Sequence, residues 1–168
     1  RAALSVPVVG VVPPIKPAAA LTKTGAIGLL ATPATVQRAY TNNLINEFAH
    51  DKRVIRFGSA ALVDAAEQKL RGETPSAAAI AEAIEGLFGA PGGSDIDVVA
   101  LACTHFPLLA AELAAAAPRP CDWLDSGSAI ARRLAHVLAA PQGTPRAHRV
   151  GCTSLDGARL SELAFKSR

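Results

Sequence analysis

Residues 97–105 read DVVALACTH. After Asp97 the run to residue 102 is wholly apolar, with no polar residue at every second place. A strand wetted on one face alternates apolar and polar side chains. A short continuous run of Val, Ala and Leu is what a strand buried on both faces needs, as in a parallel sheet covered by helices. Cys103, Thr104 and His105 then follow at once. In open parallel sheets, ligands lie off the carboxyl ends of the strands. One stretch thus sets the fold class and points to where chemistry is to be sought.

Working outward, residues 26–31 (AIGLLA) read as a second strand, ending at Thr32 and Pro33. Shorter strands are predicted at residues 6–12 (VPVVGVV), 54–57, 122–124 and 148–152. Residues 35–49 predict one helix, with Val36, Tyr40, Leu44, Ile45 and Phe48 recurring at helical spacing. Ser59 reads as the N-cap of a helix over 60–70, with Gly72 where a C-cap belongs. Thr74 and Pro75 read as the N-cap and first position of a helix to about residue 87. Further helices are predicted over 108–117, 128–139 and 155–165, the last weakened by Gly157. Residues 91–94 and 141–147 read as loops. This alternation predicts an α/β fold, with a mostly parallel sheet and flanking helices. The residues just past its strands include Thr32, Thr35, Gly58, Ser59, Cys103, Thr104, His105, Asp125, Ser126 and Gly127.

Composition excludes several classes. Half of the 168 residues are hydrophobic, enough to bury a large core and too many for a disordered chain. Ala supplies about one residue in five, so the core is built from small aliphatics. Aromatics at 4% leave little for a base-stacking surface. The net charge of +3, from 17 basic and 14 acidic residues, is not gathered into a stripe, so nucleic acid is not expected as a partner. Cys103, Cys121 and Cys152 show neither C-x-x-C spacing nor an even count. They suggest free thiols in a reducing cytoplasm rather than a disulfide scaffold or a zinc site. No run approaches the ~18 apolar residues of a membrane span, and the opening residues lack a signal-peptide core. The chain has no Met and opens on Arg1, as expected of a processed product or a piece of something longer.

A thiol at a sheet's carboxyl edge, ahead of a helix N-terminus, is placed to act as a thiolate. An imidazole two residues on can reach that thiol or its substrate. A buried structural Cys beside a satisfied His is the plainer alternative. Thr32 and Thr35 suit helix capping as well as ligand binding. Glu67 suits a solvated helix face. Cys121 and Cys152 read as structural, and His50, His136 and His148 have no metal-ligand spacing. Asp125, Ser126 and Gly127 read as a tight turn and N-cap. Lys16 is expected to pack or pair near a lobe boundary.

The string LACTHFPLL at residues 101–109 closely resembles the second cysteine motif of bacterial glutamate racemases, within the aspartate/glutamate racemase superfamily. Four more segments agree in order: VPVVGVVPPIKP at 6–17, GLLATPATV at 28–36, GSAALVDAAEQKL at 58–70 and LDSGSAIARR at 124–133. The resemblance implies interconversion of L- and D-glutamate by two cysteines on opposite faces of the α-carbon, without a cofactor or metal, supplying D-glutamate for peptidoglycan. It makes Cys103 the base toward L-glutamate and the acid toward the D-isomer, with His105 its auxiliary. Thr104 would contact the substrate, and Thr32 and Thr35 its carboxylate side. Glu67 would orient the substrate ammonium or a neighbouring base. Aspartate or hydantoin racemases of the same plan, and a non-catalytic remnant, stay open as alternatives.

The family's first-half motifs have no match here: an Asp-Ser-Gly loop, a Tyr-Gly step and a first cysteine in Cys-Asn-Thr. On the order of eighty to a hundred residues of a first lobe are expected to be missing, leaving this chain inactive alone. The resemblance divides it into a linker strand from that lobe (1–10), a second α/β lobe (11–126) and a segment returning to the first lobe (127–168). It also implies a homodimer in some members, and an activating peptidoglycan nucleotide precursor at the hinge.

Overall fold

A computed structural model describes residues 8–138. The loop expected at 141–147, the strand at 148–152, the helix at 155–165, and His148 and Cys152 lie outside the described residues. In order come α1 (Ile15–Leu21), β1 (Ala26–Ala31), α2 (Pro33–Gln37), α3 (Ala39–Phe48), β2 (Arg53–Gly58), α4 (Ala61–Leu70) and α5 (Ala77–Phe88). Then follow β3 (Val98–Leu101), α6 (Ala110–Ala116), β4 (Asp122–Leu124) and α7 (Gly127–Leu138).

The four strands form one sheet in the order β2-β1-β3-β4, every pair parallel. The predicted α/β class is the one found. Every residue of β1 and β3 is buried, as their unbroken apolar runs require. Their side chains divide between two cores by the strand's period of two. Ile27, Leu29, Val98 and Ala100 face one core with Ile15, Ala18, Leu44 and Ile45 of α1 and α3. Leu30, Val99 and Leu101 face the other, with Leu62, Ile80, Ile84, Leu87, Phe106 and Leu113. From β1 the chain crosses to β2 on one side, then returns past β1 to β3 on the other. The loops leaving β1 and β3 therefore diverge, opening a crevice between their carboxyl ends.

Several local expectations are corrected. Residues 8–12 are not a strand: they pair with no neighbour in the sheet. The helix α1 was not foreseen, because three prolines between residues 13 and 17 read as loop. Pro17 lies in the first turn, where a missing N–H costs no intrahelical bond, and Ile15 and Ala18 anchor the helix by burial. The single helix expected over 35–49 is broken at Arg38, whose backbone is extended (φ −63°, ψ 137°). The cap of α5 is Ser76, not Thr74: its side chain accepts from the Ala79 N–H, while the Gln68 side chain accepts from the Ser76 N–H. Residues 106–109 form a 3-10 turn, so the α-helix predicted from 108 starts at Ala110. Another short 3-10 turn, Gly93–Asp95, occupies the expected 91–94 loop.

The other signals act as read. The buried Ser59 hydroxyl accepts from the Leu62 N–H at 3.1 Å and caps α4. Gly72 takes φ +80° just past its end, a conformation that glycine adopts without strain. Asp125 Oδ1 accepts from the Gly127 N–H at 2.6 Å, and the Ser126 hydroxyl donates to the Val12 carbonyl. These bonds pin the start of α7 to the segment before α1. Lys16 lies 5.0 Å from the ring centroid of Phe48, a cation–π contact.

Candidate active site

Cys103 and Thr104 emerge from β3 at the crevice, and Thr32 and Thr35 from β1. The Ala102 N–H donates to the Leu30 carbonyl at 2.8 Å, extending the β1–β3 ladder and holding the two loops side by side. Thr32, Thr35, Cys103 and Thr104 line one open cavity of about 260 Å³. Thr32 ends the extended chain ahead of α2, yet its hydroxyl caps no backbone N–H. It is bonded instead to the Thr35 hydroxyl at 2.9 Å. Between them the two hydroxyls keep one proton and several lone pairs for a ligand.

Behind Cys103 runs a polar chain. Its Sγ lies 3.9 Å from Nδ1 of His105, and Nε2 of His105 lies 2.8 Å from Oε1 of Glu67. When Nε2 carries the ring proton, it donates to the Glu67 carboxylate and leaves Nδ1 as acceptor toward the thiol. This is the arrangement of a nucleophile or base, its partner, and a third group fixing the partner's tautomer. His105 and Glu67 do not line the cavity; they back the one sulfur that does. Glu67 therefore meets His105, a neighbouring base, at the position for which an ammonium or a base was expected. Lys69 pairs with Glu112 at 2.5 Å and ties α4 to α6. The 3-10 turn after His105 replaces the helix N-terminus expected to serve Cys103.

Arg38, Tyr40 and Thr41 complete the lining with Val11, Pro13 and Ala102, and sequence reasoning missed them. Tyr40, which helical spacing puts on an apolar face, is half exposed. The lack of any Gly or Pro between residues 35 and 48 hid the break that brings these residues to the cavity.

Cys121 packs against the α4–α6 core. Burial, with Asp122 nearby, pushes its thiol up to about 11, which suits an inert packing residue. His50 and His136 are exposed. Among the described residues, no group of three or more His, Cys, Asp or Glu could hold a metal ion. None of their helices is long and apolar enough to cross a membrane. A second, more apolar cavity of about 410 Å³ lies among the 8–14 segment, α1, α3 and the start of α7, with Lys16, Arg133, Asp125 and Ser126 on its wall.

The Asp/Glu/hydantoin racemase family model matches residues 1–134. A glutamate racemase of Sphingopyxis alaskensis is 53% identical over 137 residues, covering 82% of this chain and 51% of the relative. One from Pectobacterium carotovorum is 50% identical over 145 residues, 86% of this chain and 50% of the relative. Among solved structures, Escherichia coli glutamate racemase in complex with L-glutamate and the activator UDP-MurNAc-Ala superposes with a TM-score of 0.76 at 47% identity. A Bacillus anthracis glutamate racemase isoform gives 0.66 at 27%. Each of these two matches covers 82% of this chain and 51% of the solved one. The chain thus spans about half the length of the relatives it matches. Its parallel sheet, the thiol and threonines at the sheet's crevice and the family match over 134 residues agree: the chain belongs to the Asp/Glu/hydantoin racemase family.

Proposed function

We propose that this chain is the portion of a glutamate racemase that carries one of two proton-transfer cysteines. The observation that carries the reading is the Cys103–His105–Glu67 chain, aimed from behind at a cavity lined by four threonines. The Cys103 thiolate removes the α-proton of L-glutamate, and the electron pair passes into the α-carboxylate as a carbanion. A thiol on the opposite face, from the portion of the relatives not matched here, returns a proton and gives D-glutamate. In the other direction Cys103 is the donor. Thr32, Thr35 and Thr104 supply preset hydroxyls to the carboxylate as charge builds there. His105 holds or releases the Cys103 proton, and Glu67 keeps its ring oriented. The product serves peptidoglycan synthesis, and the 168-residue chain alone is expected to be inactive.

In this reading residues 11–126 are the second lobe, and 1–10 and 127–168 belong with the first. The exposed apolar side chains of α7, which buries no residue, support that division. The 410 Å³ cavity, whose wall carries Lys16 and Arg133 against the single carboxylate of Asp125, is where we place an anionic nucleotide activator such as that of the Escherichia coli relative.

The test is a chimera joining the first half of the Sphingopyxis relative to this chain, assayed by deuterium wash-in from each enantiomer. Cys103→Ser is expected to suppress exchange from L-glutamate far more than from D-glutamate. Equal losses would overturn the facial assignment. Unchanged rates would reduce Cys103 to a packing residue.

A further inference from the structure

We propose that the Arg38 guanidinium is the cationic anchor that draws and holds a carboxylate of the substrate in the Thr32–Cys103 cavity; this rests on the glutamate reading above. Of the residues lining that cavity, Arg38 alone carries a formal charge. It is exposed, and among the described residues no carboxylate pairs with it. Glutamate brings two carboxylates and one ammonium, a net negative charge that neutral threonine hydroxyls do not balance. A guanidinium offers a planar fork of donors matched to a carboxylate.

The backbone is arranged to put it there. In a continuous helix the Thr35 carbonyl would accept from the Ala39 N–H. Here it accepts from the buried Thr41 hydroxyl at 2.7 Å and from the Arg38 N–H at 3.3 Å. The Arg38 carbonyl in turn starts α3 by accepting from the Asn42 N–H at 3.2 Å. A side chain thus competes with the backbone and breaks the helix where no Gly or Pro would. At 100° per residue, an unbroken helix would point Thr35 and Tyr40 in nearly opposite directions. The break lets Thr35, Arg38, Tyr40 and Thr41 share one cavity wall. A local rule overridden at a ligand-sized cavity marks a site where structure serves binding.

The experiment titrates the 168-residue chain with L-glutamate and with glutarate, which keeps the carboxylates and lacks the ammonium. Amide resonances of Thr32, Thr35 and Cys103 are followed at low and high salt. The wild-type chain is expected to bind both ligands, more weakly as salt rises. Arg38→Met is expected to weaken both by about tenfold or more, the order one charge-assisted hydrogen bond contributes, and to lose the salt dependence. Arg38→Lys, keeping the charge without the fork, should fall between. Arg38→Met with wild-type affinity and salt slope would overturn the inference alone. A wild-type chain whose cavity resonances respond to neither ligand would overturn the glutamate reading, and the inference with it.

Discussion

Gly58→Ala is a small substitution with a consequence that can be worked out from the structure. Gly58 ends β2 in register with Ala31, the residue before Thr32. A Cβ built on it would lie 2.7 Å from Pro33 Cα, 3.0 Å from Pro33 N and 3.1 Å from Val36 Cγ2. Non-bonded carbons pack best at roughly 3.5–4.0 Å, so α2 must retreat by about 1 Å. The obstacle is backbone, and at a proline, whose φ is locked, so no flexible side chain can swing aside. Overpacking of this kind costs about 1–3 kcal/mol. In a domain of this size that lowers the melting temperature by on the order of 2 to 12 °C. The retreat also moves the carriers of the 2.9 Å Thr32–Thr35 hydroxyl pair. Thermal unfolding followed by circular dichroism gives the first number, and the Thr32 and Thr35 amide resonances report the second. Gly72→Ala is the control: its φ of +80° strains an alanine, but nothing lies within 4 Å of the new methyl. It should lower the melting temperature and leave the threonine resonances in place. A Gly58→Ala chain that melts as the wild type does, with both threonines unshifted, would refute the steric reasoning.

Four further outcomes are expected. Glu67→Ala frees the His105 ring and should slow iodoacetamide labelling of Cys103 near neutral pH roughly tenfold, as loss of a charge-assisted hydrogen bond implies; an unchanged rate would mean that the contact orients nothing. Burial raises the Asp97 carboxyl, but bonds from the Thr22 hydroxyl and the Lys23 and Thr24 N–H groups outweigh it and hold the group below its ordinary value of 3.8. Its stabilisation is therefore complete above that value and lost as pH falls from there through the lower folded value; Asp97→Asn should weaken the chain at pH 7 and flatten urea-midpoint curves between pH 5 and the acid limit, and an unaltered slope would contradict this. Cys121, with its thiol pushed up to about 11, should label slowly at pH 8 and keep accelerating beyond pH 10, as peptide-resolved mass spectrometry can show; a plateau near pH 9 would contradict the burial argument. Leu134 and Leu138 of α7 are 45% and 53% exposed, so Leu134→Glu with Leu138→Glu should reduce self-association of the chain in light scattering, whereas a wild type monomeric at high concentration would show that the stripe is harmless.

What the amino-acid sequence determined by itself is what short-range physics decides. Residues 26–31 are a strand as read, because an apolar run of that length has few other ways to bury itself. Ser59 and Gly72 bracket α4 because a hydroxyl acceptor and a positive φ satisfy a helix's own loose ends. The Cys103–His105 pair was legible because two residues suffice to bring thiol and imidazole near one another. Tertiary structure decided everything that depends on partners distant in the chain. Glu67 reaches His105 across 38 positions only because α4 packs beside the turn after β3. The crevice lies between β1 and β3 because the strand order is β2-β1-β3-β4, and a parallel sheet's order is set by how helices cover its two faces. α1 exists despite Pro17 within it and Pro13 and Pro14 just before it because Ile15 and Ala18 find a core, and burial outweighs a weak local propensity. Arg38 breaks a periodic helix because the Thr41 hydroxyl takes the Thr35 carbonyl, a competition between side chain and backbone that hydrophobic spacing does not register.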